Sequence, residues 1–271
     1  MLVDGGGVQP HERKEVFVDG DGVLHIPTRC STSNLLPTHS PAASVASGAE
    51  VVFHTSDYAY ERLSKRDGLQ DQPPLTLEEI NIVTGPLAVE GAMPGDALRV
   101  EILDVKIRRC WSVWMAEAAV SGCLACKLAA TGRESSVRQL SIDNVNQTVH
   151  ISQRLHVPLE PMIGVIATAP SLDNRSQSST FEPTYSHGGN MDLREMQKGA
   201  AILLPIQIEG GLLFIGDLHA CMVSEKMSRR MHKCKARKRA SPAKARERTS
   251  EKVRERLECA RTYASAPTWC A

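Results

Sequence analysis

The sequence predicts an all-β protein, mainly β with minor α, built around a two-sheet β-sandwich-like domain. Three observations support this prediction. Short segments rich in β-branched residues alternate between apolar and polar positions, turn residues recur between them, and helical periodicity is rare before residue 222. With 271 residues, 42% of them hydrophobic, the chain has a globular composition and is long enough to bury a core.

The N-terminal part predicts little regular structure. Residues 1–34 are rich in Gly, Ser, Thr and Pro, and their short apolar pieces predict an irregular lead-in with one hairpin. Residues 50–55 predict a strand, because β-branched and aromatic side chains cluster there after the turn-forming pair Ser47-Gly48.

The clearest strand signal follows the turn Pro94-Gly95-Asp96. Residues 98–102 alternate in one phase and residues 103–107 in the opposite phase, which predicts a bulge or a strand that changes sheets. Residues 111–127 form a candidate helix, although they lack a clean period of 3.6 residues.

Residues 201–215 predict a β-hairpin. Apolar side chains alternate on both sides of the turn Glu209-Gly210-Gly211, and Pro205 places the first strand at an edge or a bulge. This hairpin completes the predicted domain, for which we expect the boundaries 35–221.

Charge sets the last fifty residues apart. Residues 222–271 carry 15 Lys and Arg against 5 Asp and Glu, a net charge of +10, whereas residues 1–221 carry 17 against 26, a net charge of −9. We expect residues 222–271 to form a basic helical or disordered tail outside the fold. Such a tail predicts weak binding of nucleic acid or another polyanion, and the alternative is a solvated tail without a partner.

The sequence predicts a cytoplasmic protein with no membrane association. No apolar run approaches the length of a membrane span, and the N-terminus lacks the pattern of a leader peptide. The eight cysteines have no framework spacing and predict reduced thiols. Cys123 and Cys126 favour a buried pair over a metal site, and Cys110 favours a buried thiol over a nucleophile.

Two segments concentrate polar groups at predicted strand ends: HGGNMD at residues 187–192 and GDLH at residues 216–219. Paired glycines let the main chain approach a ligand and direct N–H groups at an anion, while imidazole and carboxylate together suit a borderline metal ion. The alternative is a tight turn followed by a turn cap. Spacing by itself leaves both interpretations open.

Five segments resemble the acetamidase/formamidase family: VVFHTSD, VTGPLAVEGAMPGDALRVEILDV, PMIGVIATAP, HGGNMDLREM and LLPIQIEGGLLFIGDLHA. The resemblance covers roughly residues 35–221. It implies a β-sandwich-type fold and an amidohydrolase that converts short linear amides, such as formamide and acetamide, to a carboxylate and ammonia. It also implies a divalent metal ion in some members, with zinc as a candidate here.

The resemblance implies roles for individual residues. Expected metal ligands are His187, His219, Asp192 and Asp217. Either aspartate would otherwise be the general base, and Asn190 or the main-chain amides of Gly188 and Gly189 would hold the oxyanion. His54 and Asp57 are second-rank candidates.

The match ends abruptly after residue 221. Members of the family continue from the Asp-x-His-Ala segment into Gly-Asp-Gly-Glu and further strands, whereas here the basic tail follows. We therefore expect a domain that is truncated at its C-terminal end, with an uncovered apolar face that drives homo-oligomer formation or aggregation. The alternative function is a catalytically dead remnant whose basic tail binds a polyanion.

Overall fold

The computed structural model describes residues 15–57, 81–114, 136–182 and 184–222. Over these ranges the chain is predominantly β, with short 3-10 turns at Thr28–Cys30 and Leu172–Gln177. The strands are β1 Phe17–Val18, β2 Leu24–Ile26, β3 Ser31–Thr32, β4 Ala43–Val45, β5 Val51–Phe53, β6 Val83–Val89, β7 Ala97–Glu101, β8 Cys110–Trp114, β9 Ser136–Asp143, β10 Thr148–His150, β11 His156–Pro158, β12 Met162–Ala167, β13 Gly188–Asn190, β14 Ala201–Pro205 and β15 Leu213–His219.

The largest sheet has six strands in the order β13-β12-β15-β6-β3, with β4 also paired to β6. The sequence of β12, MIGVIA, is apolar throughout, and all six of its residues are buried. A strand that is apolar at every position needs cover on both faces. This strand therefore lies inside the sheet, between β13 and β15.

Successive side chains of β15 enter opposite cores, as the two-residue period of a strand requires. Leu213 and Ile215 belong to one apolar cluster, which also includes Ile26 of β2 and Leu204 of β14. Phe214 belongs to a second cluster on the other face, with Val83, Val165 and Leu35. The six-stranded sheet is thus covered on both faces.

Three smaller sheets complete the fold. They have the orders β1-β2-β5, β11-β10-β9-β8 and β14-β7. Strands β8, β9 and β10 contribute to a third apolar cluster, formed by Cys110, Leu140, Val149 and Ala220. Because Ala220 directly follows β15, this cluster connects the four-stranded sheet to the end of a central strand.

Several predictions from the sequence are confirmed. The fold is mostly β with several sheets, the lead-in contains the antiparallel pair β1 and β2, and β5 lies within the predicted strand at residues 50–55. As a separate observation, none of the helical segments in the described ranges has the length and hydropathy of a membrane span. The tail, except for Met222, lies outside the described residues.

The predicted hairpin at residues 201–215 is wrong. Strand β14 pairs with β7, with Leu204 opposite Leu98, whereas β15 pairs with β6 and β12. Gly210, Gly211 and Leu212 all have positive φ, and these left-handed residues carry the chain from one sheet to the other. Pro205 is the last residue of β14, where its missing N–H is tolerated.

Two other local predictions need correction. The change of phase after residue 102 is neither a bulge nor a second strand, because β7 ends at Glu101 and residues 102–107 have no regular structure. The candidate helix at residues 111–127 begins as strand β8, since residues 110–114 pair with β9. Residues 115–127 lie outside the described residues.

We expect Phe214→Ala to lower the free energy of unfolding by about 3–5 kcal/mol, because Phe214 is fully buried and the truncation leaves a cavity. Leu203→Ala is the control. Leu203 is 67% exposed, and its truncation should change the free energy by less than about 0.5 kcal/mol. Urea denaturation of the full chain measures both, and equal effects of the two variants would contradict the assigned core.

Candidate metal and catalytic site

Strand β15 supplies two of the three residues that form the site. Asp217 and His219 lie two positions apart at its C-terminal end, beyond the buried residues 213–216. Asp217 has φ 51°, a left-handed backbone conformation that residues other than glycine rarely adopt. Such strain is typical of functional positions that the surrounding structure holds in place.

The third residue, Asp192, lies just after the edge strand β13. The main-chain N–H groups of Met191 and Asp192 both donate to the carbonyl oxygen of Gly164 in β12, at 2.9 and 3.2 Å. Asp192 also has a positive φ, 45°. The two hydrogen bonds hold this turn against β12 and bring Asp192 to the residues of β15.

The three side chains form a compact cluster. The Nε2 atom of His219 lies 3.3 Å from Oδ1 of Asp192 and 3.4 Å from Oδ2 of Asp217. One ligand atom from each residue lies within 4.8 Å of the others. All three side chains are largely buried, and within the described part of the chain neither Oδ1 of Asp192 nor Nδ1 of His219 has a hydrogen-bond partner.

Burial and charge shift the protonation equilibria in this cluster. Burial, together with the neighbouring charge of Asp217, raises the pKa of Asp192 to about 6. For His219, burial alone would lower the pKa, but its interactions with the carboxylates of Asp217 and Asp192 outweigh burial and raise it. The site therefore favours a positive charge between the two carboxylates.

Gly164 allows Asp217 and His219 to lie close to the main chain of β12. A Cβ atom at this position would lie 2.8 Å from both Oδ2 of Asp217 and Nε2 of His219, and 2.6 Å from the carbonyl oxygen of Asp217. No side chain fits there without displacing these atoms. Gly164 was not among the predicted site residues, although a glycine inside a buried apolar strand is itself a sign that neighbouring atoms closely approach its main chain.

His187 is not part of the cluster of ligand atoms. Its side chain is fully buried, its ring stacks on Tyr185 with centroids 6.0 Å apart, and neither ring nitrogen makes a well-formed hydrogen bond to a described residue. Burial lowers the pKa of His187, partly offset by the nearby main chain of Gln177. The imidazole is therefore held mainly in its neutral form.

The two glycines and Asn190 contact the main chain around them. The N–H of Gly188 donates to the carbonyl of Tyr185, and a Cβ on Gly188 would lie 2.4 Å from the carbonyl oxygen of Ile166. Gly189 has φ 132°, which also favours glycine. The side-chain amide of Asn190 donates to the carbonyl of Phe181 and leaves its own oxygen without a partner among the described residues. Asn190 therefore presents its amide oxygen as an acceptor and keeps a second N–H, the kind of donor that an oxyanion requires.

The second-rank candidates lie in two other polar groups. Nε2 of His54 is 2.9 Å from Nδ1 of His25, whose Nε2 is 3.1 Å from Oδ2 of Asp19. These contacts join β2, the end of β5 and the turn after β1.

Asp57 forms an ion pair with Arg109 and accepts a hydrogen bond of 2.8 Å from Nε1 of Trp111. Asp57 thus joins the end of the described range 15–57 to β8 and the residue before it.

Cys110 does not have the properties of a nucleophile. It is buried at the start of β8, and burial together with the proximity of Cys221 raises the pKa of its thiol to about 11. Only the thiolate is a strong nucleophile. The protonated thiol at neutral pH agrees with the expectation from the sequence.

Comparison with known proteins gives a consistent result for the described body of the chain. The Acetamidase/Formamidase family matches residues 33–182 and 173–222. Formamidase from Methylophilus methylotrophus is 22% identical over 225 residues, covering 65% of this chain and 54% of that protein. Acetamidase from Mycolicibacterium smegmatis is 22% identical over 234 residues, covering 68% and 58%. The chain thus spans a little over half the length of these curated relatives.

Solved structures show the same likeness. Acetamidase from Bacillus halodurans has a TM-score of 0.59 and 32% identity, covering 73% of this chain and 63% of that one. A predicted acetamidase/formamidase from Thermoanaerobacter tengcongensis has a TM-score of 0.63 and 30% identity, covering 74% and 62%. The family match includes every residue of the cluster described above. The chain belongs to the acetamidase/formamidase family.

Proposed function

We propose that this protein is an amidohydrolase that cleaves the carbon–nitrogen bond of a small linear amide, such as formamide or acetamide, at the cluster of Asp192, Asp217 and His219. The observation that carries the proposal is the convergence of these three largely buried side chains. Membership of the family and the names of the relatives, formamidase and acetamidase, support the reaction class.

The donor set fits a divalent metal ion. Two carboxylates and one imidazole are ligands that zinc and similar borderline ions accept. Oδ1 of Asp192, which has no hydrogen-bond partner among the described residues, is a further feature that a cation would use. When bound, such an ion would polarise the amide carbonyl and lower the pKa of a bound water.

The protein's own groups supply the remaining requirements of the reaction. A carboxylate of the cluster accepts the proton of the attacking water and returns it to the nitrogen of the leaving group, so that ammonia departs. As a ligand, His219 would transfer no proton, and its Nε2 atom lies within 3.4 Å of both carboxylates, so the three donor groups converge on one point. The low exposure of the cluster limits the access of bulk water and strengthens each electrostatic contact.

Three expectations from the sequence remain proposals. Binding of a polyanion by residues 222–271 depends on their net charge of +10. Self-association depends on exposed apolar side chains such as Leu203 of β14, which is 67% exposed. The cytoplasmic location depends on the composition of the chain alone.

Incubation of the full chain with formamide or acetamide and added zinc should release ammonia. Asp192→Asn should lower the rate by about 10²-fold or more, because a positioned general base or ligand contributes that much. Asp173→Asn is the matched control, since Asp173 is exposed in the 3-10 turn at Leu172–Gln177. Equal rates for the wild type and Asp192→Asn would disprove the assignment of the site.

Metal content separates the two roles that the carboxylates can have. We expect Asp217→Asn to reduce bound zinc, because Asp217 shares a strand end with His219 and its oxygen lies 3.4 Å from Nε2. A carboxylate that only accepts the proton should instead keep the zinc when it is changed to the amide, while turnover falls. Measuring the zinc content of Asp192→Asn and Asp217→Asn by elemental analysis, together with their rates of ammonia release, shows which residue is a metal ligand and which is the general base.

Gly164→Ala should weaken metal binding by about tenfold or more, because second-layer changes of this kind disturb the ligand geometry. The added methyl group would lie 2.8 Å from two ligand atoms. The d–d spectrum of Co²⁺-loaded protein reports the coordination directly and does not depend on turnover. Gly20→Ala is the control, since a Cβ there meets nothing within 4 Å and, as at Gly164, the backbone does not have a positive φ. An unchanged cobalt spectrum in Gly164→Ala would refute this role.

A further inference from the structure

Two histidines face each other on the hairpin formed by β10 and β11. His150 and His156 are opposite in the register of the two strands. Their rings are stacked, with centroids 3.9 Å apart and an angle of 12° between the planes. His150 is half-buried and His156 is exposed. Among the described residues, neither ring makes a hydrogen bond, so no hydrogen-bond partner competes with a metal ion for the ring nitrogen atoms.

The hydrogen bonds of the hairpin explain this close approach. The N–H of Ile151 donates to the carbonyl of Leu155, and the N–H of Leu159 donates to the carbonyl of Gln147. Bonded and non-bonded pairs alternate along an antiparallel ladder, so the pair of histidines is a non-bonded pair. In such pairs the two main chains are closest and the side chains meet.

A carboxylate lies near the pair on the neighbouring strand. Asp143 of β9 is opposite Thr148, which is two residues from His150 on the same face of the sheet. Hydrogen bonds from Asn146 chiefly lower the pKa of Asp143, and the charge of His150 contributes. Asp143 therefore adds a negative charge close to the imidazoles, which favours a bound cation.

We propose that His150 and His156 form a second metal site, which binds a divalent transition metal that prefers imidazole nitrogen, with Cu²⁺ the strongest binder of its row. The register of the hairpin already places both ligands next to each other, so metal binding needs to fix only the orientations of the two rings and loses little conformational entropy. The torsion about the Cβ–Cγ bond of histidine is broad, and a rotation of the exposed ring turns stacking into chelation. Hard ions such as Mg²⁺ and Ca²⁺ prefer oxygen and should not compete.

This site differs from the cluster of Asp192, Asp217 and His219 in its donors and its exposure. The cluster offers two carboxylates and one imidazole and is largely buried. The hairpin offers two imidazoles at the surface. The two sites can therefore be separated by metal preference and by substitution, and the second one does not depend on amide hydrolysis.

Titration of the full chain with Cu²⁺, followed by electron paramagnetic resonance, tests the proposal. We expect a signal with coupling to two nitrogen nuclei. His150→Gln, His156→Gln and the double variant should each weaken this site by about tenfold or more and to the same extent, because a chelate loses its advantage with either ligand. Asp192→Asn and the matched surface change Leu155→Gln should leave it intact.

Two results would overturn the proposal. Additive losses in the single variants would mean two independent imidazoles. Unchanged binding in the double variant would place the copper away from the hairpin, for example at one of the other seven of the chain's nine histidines. Circular dichroism and the melting temperature of each variant establish whether the variant is folded. In a folded variant, a loss of copper binding is due to the loss of the histidine ligand.

Discussion

The antiparallel register between β12 and β15 determines where the site lies. Met162 is opposite His219 and Val165 is opposite Gly216, so Gly164 faces Asp217. A shift of one residue would exchange the two faces of the strand and place a branched apolar side chain beside the carboxylate. The carbonyl of Gly164 also holds the turn that carries Asp192. Gly164 thus contributes to the position of all three members of the cluster. It has no side chain to displace Asp217 and His219, and its carbonyl accepts a hydrogen bond from the N–H of Asp192.

The cluster lowers the stability of the fold when no cation balances the negative charge of its two carboxylates. Two carboxylates lie within 3.4 Å of the same imidazole nitrogen with little access to water, and the raised pKa of Asp192 expresses the penalty for charging it there. An apolar core of the same volume would not carry this penalty. Groups that a fold holds at such a cost, in left-handed backbone conformations, are characteristic of functional sites.

Local patterns in the sequence predict the class of fold, and the family resemblance predicts the residues of the candidate site, but neither predicts the partners of the strands. The alternation in residues 201–208 and 212–215 shows which side chains enter a core, and any strand with a matching apolar face satisfies it. The chain pairs β14 with β7, a distant segment, because the left-handed residues after residue 209 direct it into another sheet. Adjacency in sequence was equally misleading at His187, whose ring is buried apart from the cluster although it belongs to the same motif as Asp192. Gly164 has no side chain to signal a role, and only its place in the register shows what it does.

The pairing of β7 with β14 affects how the chain reaches its fold during synthesis. Leu98 and its partner Leu204 are separated by about 100 residues, and non-local pairs of this kind slow folding. At ordinary translation rates β7 leaves the ribosome about 5–20 s before its partner strand. Through that interval its main-chain N–H and C=O groups have no ladder partner among the described residues that precede it, and the strand can pair with other nascent chains. Arg99 and Glu101, whose charged side chains form an ion pair on the exposed face of β7, then act as gatekeepers against aggregation.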